Sequence, residues 1–127
     1  MTEHPQTKVN LTVDLKHNLI RLHKSTLHLL GDPPYIQLLI NPSSRIVALK
    51  ASSGNSPGDS VHRVSRKRLH STRSVEIYSI SFTQRLTSVI SELKEGHRYR
   101  MCGEIILPEK LALFSFDSLN EFPEVTS

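Results

Sequence analysis

The side chains of this chain whose type and spacing suit chemistry are basic, and they gather in two places. Arg63, Arg66, Lys67, Arg68 and Arg73 fall in the run VHRVSRKRLHSTR from Val61 to Arg73, and Lys16, His17, Arg21 and Lys24 crowd the front of the chain. Lys and Arg neutralise phosphates and release the counterions condensed around them, a source of affinity that does not depend on base sequence. Arg and Asn also read base edges, but the sequence does not say which side chain reaches a groove. The plain alternative for both groups is a solvated surface, and for residues 63–73 a solvated loop.

Other chemistries find less support. Gly54-Asn55-Ser56-Pro57-Gly58 lacks the Gly-Lys-Ser/Thr ending that gives a phosphate loop its lysine and its metal-binding hydroxyl. No serine elbow or cysteine-centred signature accompanies the hydroxyls, so nucleophilic catalysis has no candidate. His17, His23 and His28 are spaced by six and five residues, not by the four that align two ligands on a helix. Glu92 and Glu95 read as the solvated face of an amphipathic helix. The expectation is therefore a protein that is not an enzyme, with no cofactor and no metal. Tyr35, Tyr78, Tyr99, Phe82, Phe114 and Phe116 fall on apparent strands, where core packing is expected in place of stacking on bases.

Composition bounds these readings. At 127 residues the chain fits one domain with a single core, and 37% hydrophobic with 22% charged residues makes it globular and rather polar. The lone Cys102 rules out an internal disulfide framework and is expected to be a small buried strand residue. Met1 to Lys8 is polar without the apolar core of a leader, and no apolar run reaches a membrane span of roughly 18 residues, which predicts a cytoplasmic protein with no membrane partner. Charge is polarised along the chain. Lys and Arg outnumber Asp and Glu six to three in residues 1–51 and five to one in 52–74, whereas residues 75–127 hold five against eight. Such polarity suits an anionic partner for the front part, and equally suits pairing between the two halves.

The elements that must position the basic groups follow from periodicity. Val9, Leu11, Val13 and Leu15 alternate with polar residues and predict a half-buried strand. Lys16-His17-Asn18 predicts a turn with Asn18 left-handed. Leu19 to Leu22 resumes extended structure, and Ser25 is expected to cap a helix of about two turns that buries Leu27 and Leu30. Gly31 ends it. Tyr35 to Ile40 and Arg45 to Leu49 predict a hairpin around Asn41-Pro42-Ser43-Ser44. Ser52 to Ser60 reads as a flexible link, with a short strand expected around Val61 to Val64. The same plan then returns. Val75 to Phe82 predicts a strand, Ser81 or Thr83 a cap, and Leu86, Val89, Ile90 and Leu93 a longer helix stopped by Gly96. Tyr99 to Ile106 and Leu111 to Phe116 predict a second hairpin, with Gly103 a bulge. Beyond Asp117 the tail should fray, unless Leu119 or Phe122 docks.

Two such units cannot each bury a sheet face alone and must pack on one another. Val13-Asp14 with its turn, Leu19 to Leu22, the helix ending Leu30-Gly31, and the hairpin closing Ile46-Val47-Ala48-Leu49-Lys50 together resemble the SpoVT/AbrB swapped-hairpin DNA-binding module. The resemblance covers residues 9–51 and, more loosely, 75–116, and extends to uncharacterised bacterial proteins with a double arrangement. It departs at Asn18, where the family has Gly, and at His23 and Lys24, where it has Pro. Leu27 stands about one residue out of step. The family interleaves hairpins from two chains; the second unit here would supply the partner within one chain, as an acidic copy with a structural role.

The resulting expectation is a β-rich α+β fold, two strand-helix-hairpin repeats packed as a pseudo-twofold swapped-hairpin barrel. It forms a single domain over 1–127, with repeats at about 8–51 and 75–117, a basic linker at 52–74 and a tail at 118–127. The resemblance implies a small DNA-binding transcriptional regulator or antitoxin-like protein. The alternative is a protein-interaction or assembly module without nucleic acid. DNA and a protein are the partners considered, and a monomer is expected as a pseudo-dimer, with further dimerisation left open.

Overall fold

The alternating front of the chain forms the strand it predicts. In the computed structural model, which describes residues 8–53, 61–64 and 74–122, β1 (Lys8–Asp14) buries Val9, Leu11 and Val13 and turns Lys8, Asn10 and Thr12 outward. Asp14 closes the strand by accepting the backbone N–H groups of Lys16 and His17 at 2.9 and 3.0 Å. Asn18 follows in the left-handed region at φ 53°, where a short polar side chain is tolerated. β2 (Leu19–His23) then runs back along β1.

The first helix, α1 (Lys24–Leu29), is six residues long. Its cap is His23, not Ser25: the His23 Nδ1 accepts the Ser25 N–H at 3.1 Å, so the helix begins earlier than hydroxyl capping predicts. Leu27 and Leu30 are buried as expected, and Gly31 at φ 87° lets the chain leave the helix. β3 (Tyr35–Asn41) and β4 (Ile46–Ser52) form the first hairpin. The Asn41 side chain holds its turn, accepting the N–H groups of Ser43 and Ser44 at 3.1 and 3.2 Å.

β5 (Val61–Arg63) falls where a short strand is expected, and β6 (Ser74–Tyr78) opens the second unit. Two expectations fail next. The second helix, α2 (Ile80–Val89), is capped by Ser79, whose Oγ accepts the Phe82 N–H at 3.2 Å, so Phe82 and Thr83 lie inside the helix and not on a strand or at its cap. It also ends at Val89, with Ile90 extended, so Gly96 lies in a later turn and Glu92 and Glu95 are not helical. The reason is local. Thr87 and Ser88 return their hydroxyls to the carbonyls of Gln84 and Arg85 at 2.8 and 2.7 Å, and β-branched Val89 and Ile90 follow.

β7 (Arg98–Ile106) and β8 (Leu111–Ser115) make the second hairpin around a short 3-10 turn at Leu107–Glu109. Gly103 is not a bulge against β1, where β7 keeps one register through it, and on the other side it pairs with Phe114 at the end of the β8 ladder. A side chain there would collide with the Leu113 carbonyl and the Phe114 ring, so the glycine permits a close approach of backbones. Past β8 the described residues up to Phe122 do not fray, and residues 123–127 of the tail lie outside the described residues. A 3-10 turn at Phe116–Ser118 leads to β9 (Asn120–Glu121), which pairs with β7, and Leu119 packs on the core. Ser118 bridges the gap in this ladder, its hydroxyl accepting the Cys102 N–H at 2.8 Å.

Among the described residues all nine strands belong to one antiparallel, nearly closed, barrel-like sheet in the order β5-β3-β4-β8-β7-β1-β2-β6, with β9 beside β7. The two units are stitched together strand by strand: β1 lies against β7, β4 against β8 and β2 against β6, while β5 pairs with β3. One core draws Leu11, Leu22, Leu38 and Leu49 from the first unit and Leu86, Met101 and Phe114 from the second. Cys102 and Tyr78, both expected inside, are exposed. Alternation explains both: burying Tyr99 and Met101 turns Cys102 outward, and burying Val75 and Ile77 does the same to Tyr78.

Candidate nucleic-acid interface

The front group of basic residues is divided by β2. Lys16 and His17 sit at one end of the strand, in the β1–β2 turn, while Lys24 opens α1 at the other. Five residues at about 3.3 Å each separate those ends by roughly 16 Å. Lys16 is exposed and makes no ion pair among the described residues. The His17 Nδ1 lies 3.0 Å from Asp14 Oδ2, and this contact builds the turn. Burial alone would raise the Asp14 carboxyl, but the hydrogen bonds and charge of His17, with the N–H of Lys16, hold it below the ordinary value.

Arg21, between the two ends, is already engaged. It stands directly opposite Glu76 of β6, and its Nε and Nη2 reach Glu76 Oε2 at 3.1 and 2.6 Å. Here the charge polarity of the sequence is used for pairing between the units, so Arg21 as it stands is not a free phosphate contact. Among the candidates at the front, Lys16 and Lys24 keep the more available charge.

Arg63 is exposed on β5 and faces Tyr35 across the β3 pairing. Arg66, Lys67, Arg68 and Arg73 lie outside the described residues. Val64 and Ser74 are the described residues on either side of that run. The Val64 N–H donates to the Pro34 carbonyl at 2.9 Å, and Ser74 pairs with His23. Pro34 and His23 bracket α1, so Val64 and Ser74 lie at the two ends of the connection that Lys24 opens. Within β5, the His62 Nε2 is buried without a partner among the described residues, and burial pushes the ring's pKa down.

Two basic residues escaped the sequence reading. Arg98 and Arg100 project from β7, on either side of buried Tyr99, and both lie over the Phe122 ring at 5.7 and 4.8 Å from its centroid. The alternation Arg98-Tyr99-Arg100-Met101 was the signal that places them on the outer face. Arg100 and Arg21 both face Thr12, giving a row Glu76, Arg21, Thr12, Arg100, Asn120 across five strands. A further arginine, Arg45, is tied to Asp117 at 3.4 Å and lies over Phe116.

Beside the β1–β2 turn an open groove of about 480 Å³ is lined by Lys16, Asn18, Ile80, Thr83, Gln84 and Glu95. Its walls are fixed by α2: the Thr83 hydroxyl meets Asn18 Oδ1 at 3.0 Å, and the Ser79 N–H donates to the Asn18 carbonyl. Among the described residues, no three His, Cys, Asp or Glu side chains group to hold a metal ion, and no helix is long and apolar enough to cross a membrane. Comparison with protein-family models, curated proteins and solved structures gave no match.

Proposed function

We propose that the chain binds DNA, as a small transcriptional regulator or antitoxin-like protein, by electrostatic docking through the first unit and the basic run behind it. The supporting observation is the convergence at α1. Lys24 opens the helix, Arg63 lies beside Tyr35 where the connection ends, and Val64 and Ser74, the described residues before and after Arg66, Lys67, Arg68 and Arg73, lie next to Pro34 and opposite His23.

The strand order supports reading the barrel as a pseudo-twofold, swapped-hairpin one. Exchanging β1 to β4 with β5 to β8 turns the β3–β4 pair into β7–β8 and the β1–β7 pair into β5–β3, and returns β4–β8 and β2–β6 to themselves. Among the described residues β1–β2 lacks a counterpart, and so does the pairing of β9 with β7, since β9 stands outside the exchange. One chain then completes the barrel, so light scattering should find a stable monomer.

Gel-shift titration of a mixed-sequence duplex across salt tests the DNA proposal. Binding near ~50 mM salt, with log affinity falling by about 0.9 per phosphate contact for each unit of log salt, is expected. Replacing Arg66, Lys67 and Arg68 with Ala should weaken binding and flatten that slope by up to roughly 2.7. No binding, or indifference to salt, contradicts the proposal.

A protein-interaction module is the second function considered, because Tyr78 and Ile80 of the second unit are 59% and 60% exposed beside the groove. A specific protein held by the wild type and lost by Y78S/I80S, in a chain that ignores DNA, would favour it.

A further inference from the structure

We infer that the second unit carries a phosphate-binding platform, Arg98 and Arg100 held by Phe122, which extends the DNA surface proposed above and rests on that proposal. Tyr99 and Met101 are buried, so Arg98 and Arg100 leave the outer face of β7 two residues, or about 7 Å, apart. Both guanidinium groups lie over the Phe122 ring. Stacking occupies the face of a guanidinium and leaves its N–H donors at the edge, where a phosphate oxygen can meet them. It also orders the side chain beforehand, which lowers the entropy lost on binding.

Phe122 is itself fixed in place. Its N–H donates to the Arg98 carbonyl at 2.9 Å, Tyr99 and Arg100 pair with Glu121 and Asn120, and His97 Nδ1 lies 2.6 Å from Glu121 Oε2. Neither Arg98 nor Arg100 makes an ion pair among the described residues. The neighbouring carboxylates have other partners: Asp14, opposite Arg98, is taken by Lys16 and His17, Glu121 by His97, and Glu76 by Arg21.

Position joins the platform to the front basic group. Asp14 pairs with Arg98, and the Leu15 N–H donates to the His97 carbonyl at 2.9 Å, so the turn bearing Lys16 and His17 adjoins the Arg98 end of β7. The surface therefore comes from both units. Two planar forks two residues apart on one strand suit successive phosphates of a backbone better than a folded acidic protein.

Anisotropy titration of the full chain against a mixed-sequence duplex, from about 50 to about 200 mM salt, tests the platform. R98Q/R100Q should weaken binding and make the salt slope shallower by about 1.8, two phosphate contacts. Phe122→Leu keeps both charges and should weaken binding only about two- to fivefold, at an unchanged slope. Should R98Q/R100Q fail to fold, R98K/R100K should keep the wild-type slope while binding more weakly. A wild-type slope in R98Q/R100Q, with a flattened slope in R66A/K67A/R68A, overturns the platform and leaves DNA binding standing. A wild type that ignores the duplex overturns both. Displacement of the duplex by polyglutamate at equal charge concentration assigns the arginines to an acidic protein and overturns the phosphate platform.

Discussion

Arg21 and Arg100 flank the same residue, Thr12, from opposite sides, yet their charges are in different states. Arg21 meets a carboxylate on the next strand and is spent on holding β2 to β6. Arg100 meets an aromatic ring and keeps its charge for solvent or a partner. The difference shows that availability of a cation is decided by the group its side chain meets, not by the net charge of its segment. By segment totals the second unit is acidic, but its carboxylates Glu76, Asp117 and Glu121 are engaged by Arg21, Arg45 and His97, while Arg98 and Arg100 make no ion pair among the described residues.

The strongest way to break the comparison is to disturb the strand that carries the unpaired arginines. Gly103→Ala forces a Cβ against the Leu113 carbonyl, which cannot retreat without parting β7 from β8. A loss of about 3 kcal/mol is expected, read as a lowered urea midpoint. An unchanged midpoint would mean that the two backbones do not approach as closely as described.

A smaller change sharpens the comparison from the other side. Glu76→Gln should convert Arg21 from a paired to a free cation. Both side chains are about one-third exposed, so the expected stability loss is about 1 kcal/mol or less. The duplex salt slope should steepen by roughly 0.9 if the released guanidinium finds a phosphate. An unaltered slope would show that the face beside Thr12 does not meet DNA.

Asp14 gives the smallest effect and fixes its pH window. Its folded carboxyl is held below the ordinary value of 3.8, so its contribution is complete above that value and is lost as pH falls below it. Asp14→Asn should therefore be less stable than the wild type near neutral pH, and the gap should close in acid. A gap that persists at the lowest pH would assign the effect to geometry and not to charge.

Much of the fold was legible because it depends on local chemistry. Alternation gave β1, Asn18 and Gly31 took the left-handed conformations their positions require, and Asn41 closed its turn. The misreadings had equally local causes. An imidazole displaced Ser25 as a cap, Ser79 outcompeted Ser81 and Thr83, and back-bonded Thr87 and Ser88 ended α2 before Gly96. Tyr78 and Cys102 were judged by residue type when strand phase decided their side. The site was less legible still. Lys16, Lys24 and Arg63 could be named from sequence, but Arg21 needed the β2–β6 register to reveal its partner, and Arg98 and Arg100 needed the Phe122 contact to stand out from an acidic segment.

The central claim is that one anionic partner, DNA, meets a face built by both units. Amide chemical-shift mapping during titration with a mixed-sequence duplex tests it most directly. Perturbations at Thr12, Lys16, Arg98, Arg100 and Phe122, together with Lys24 and Arg63, are the result expected. Perturbations confined to Tyr78, Ile80 and the groove beside them, or none at all, would contradict it.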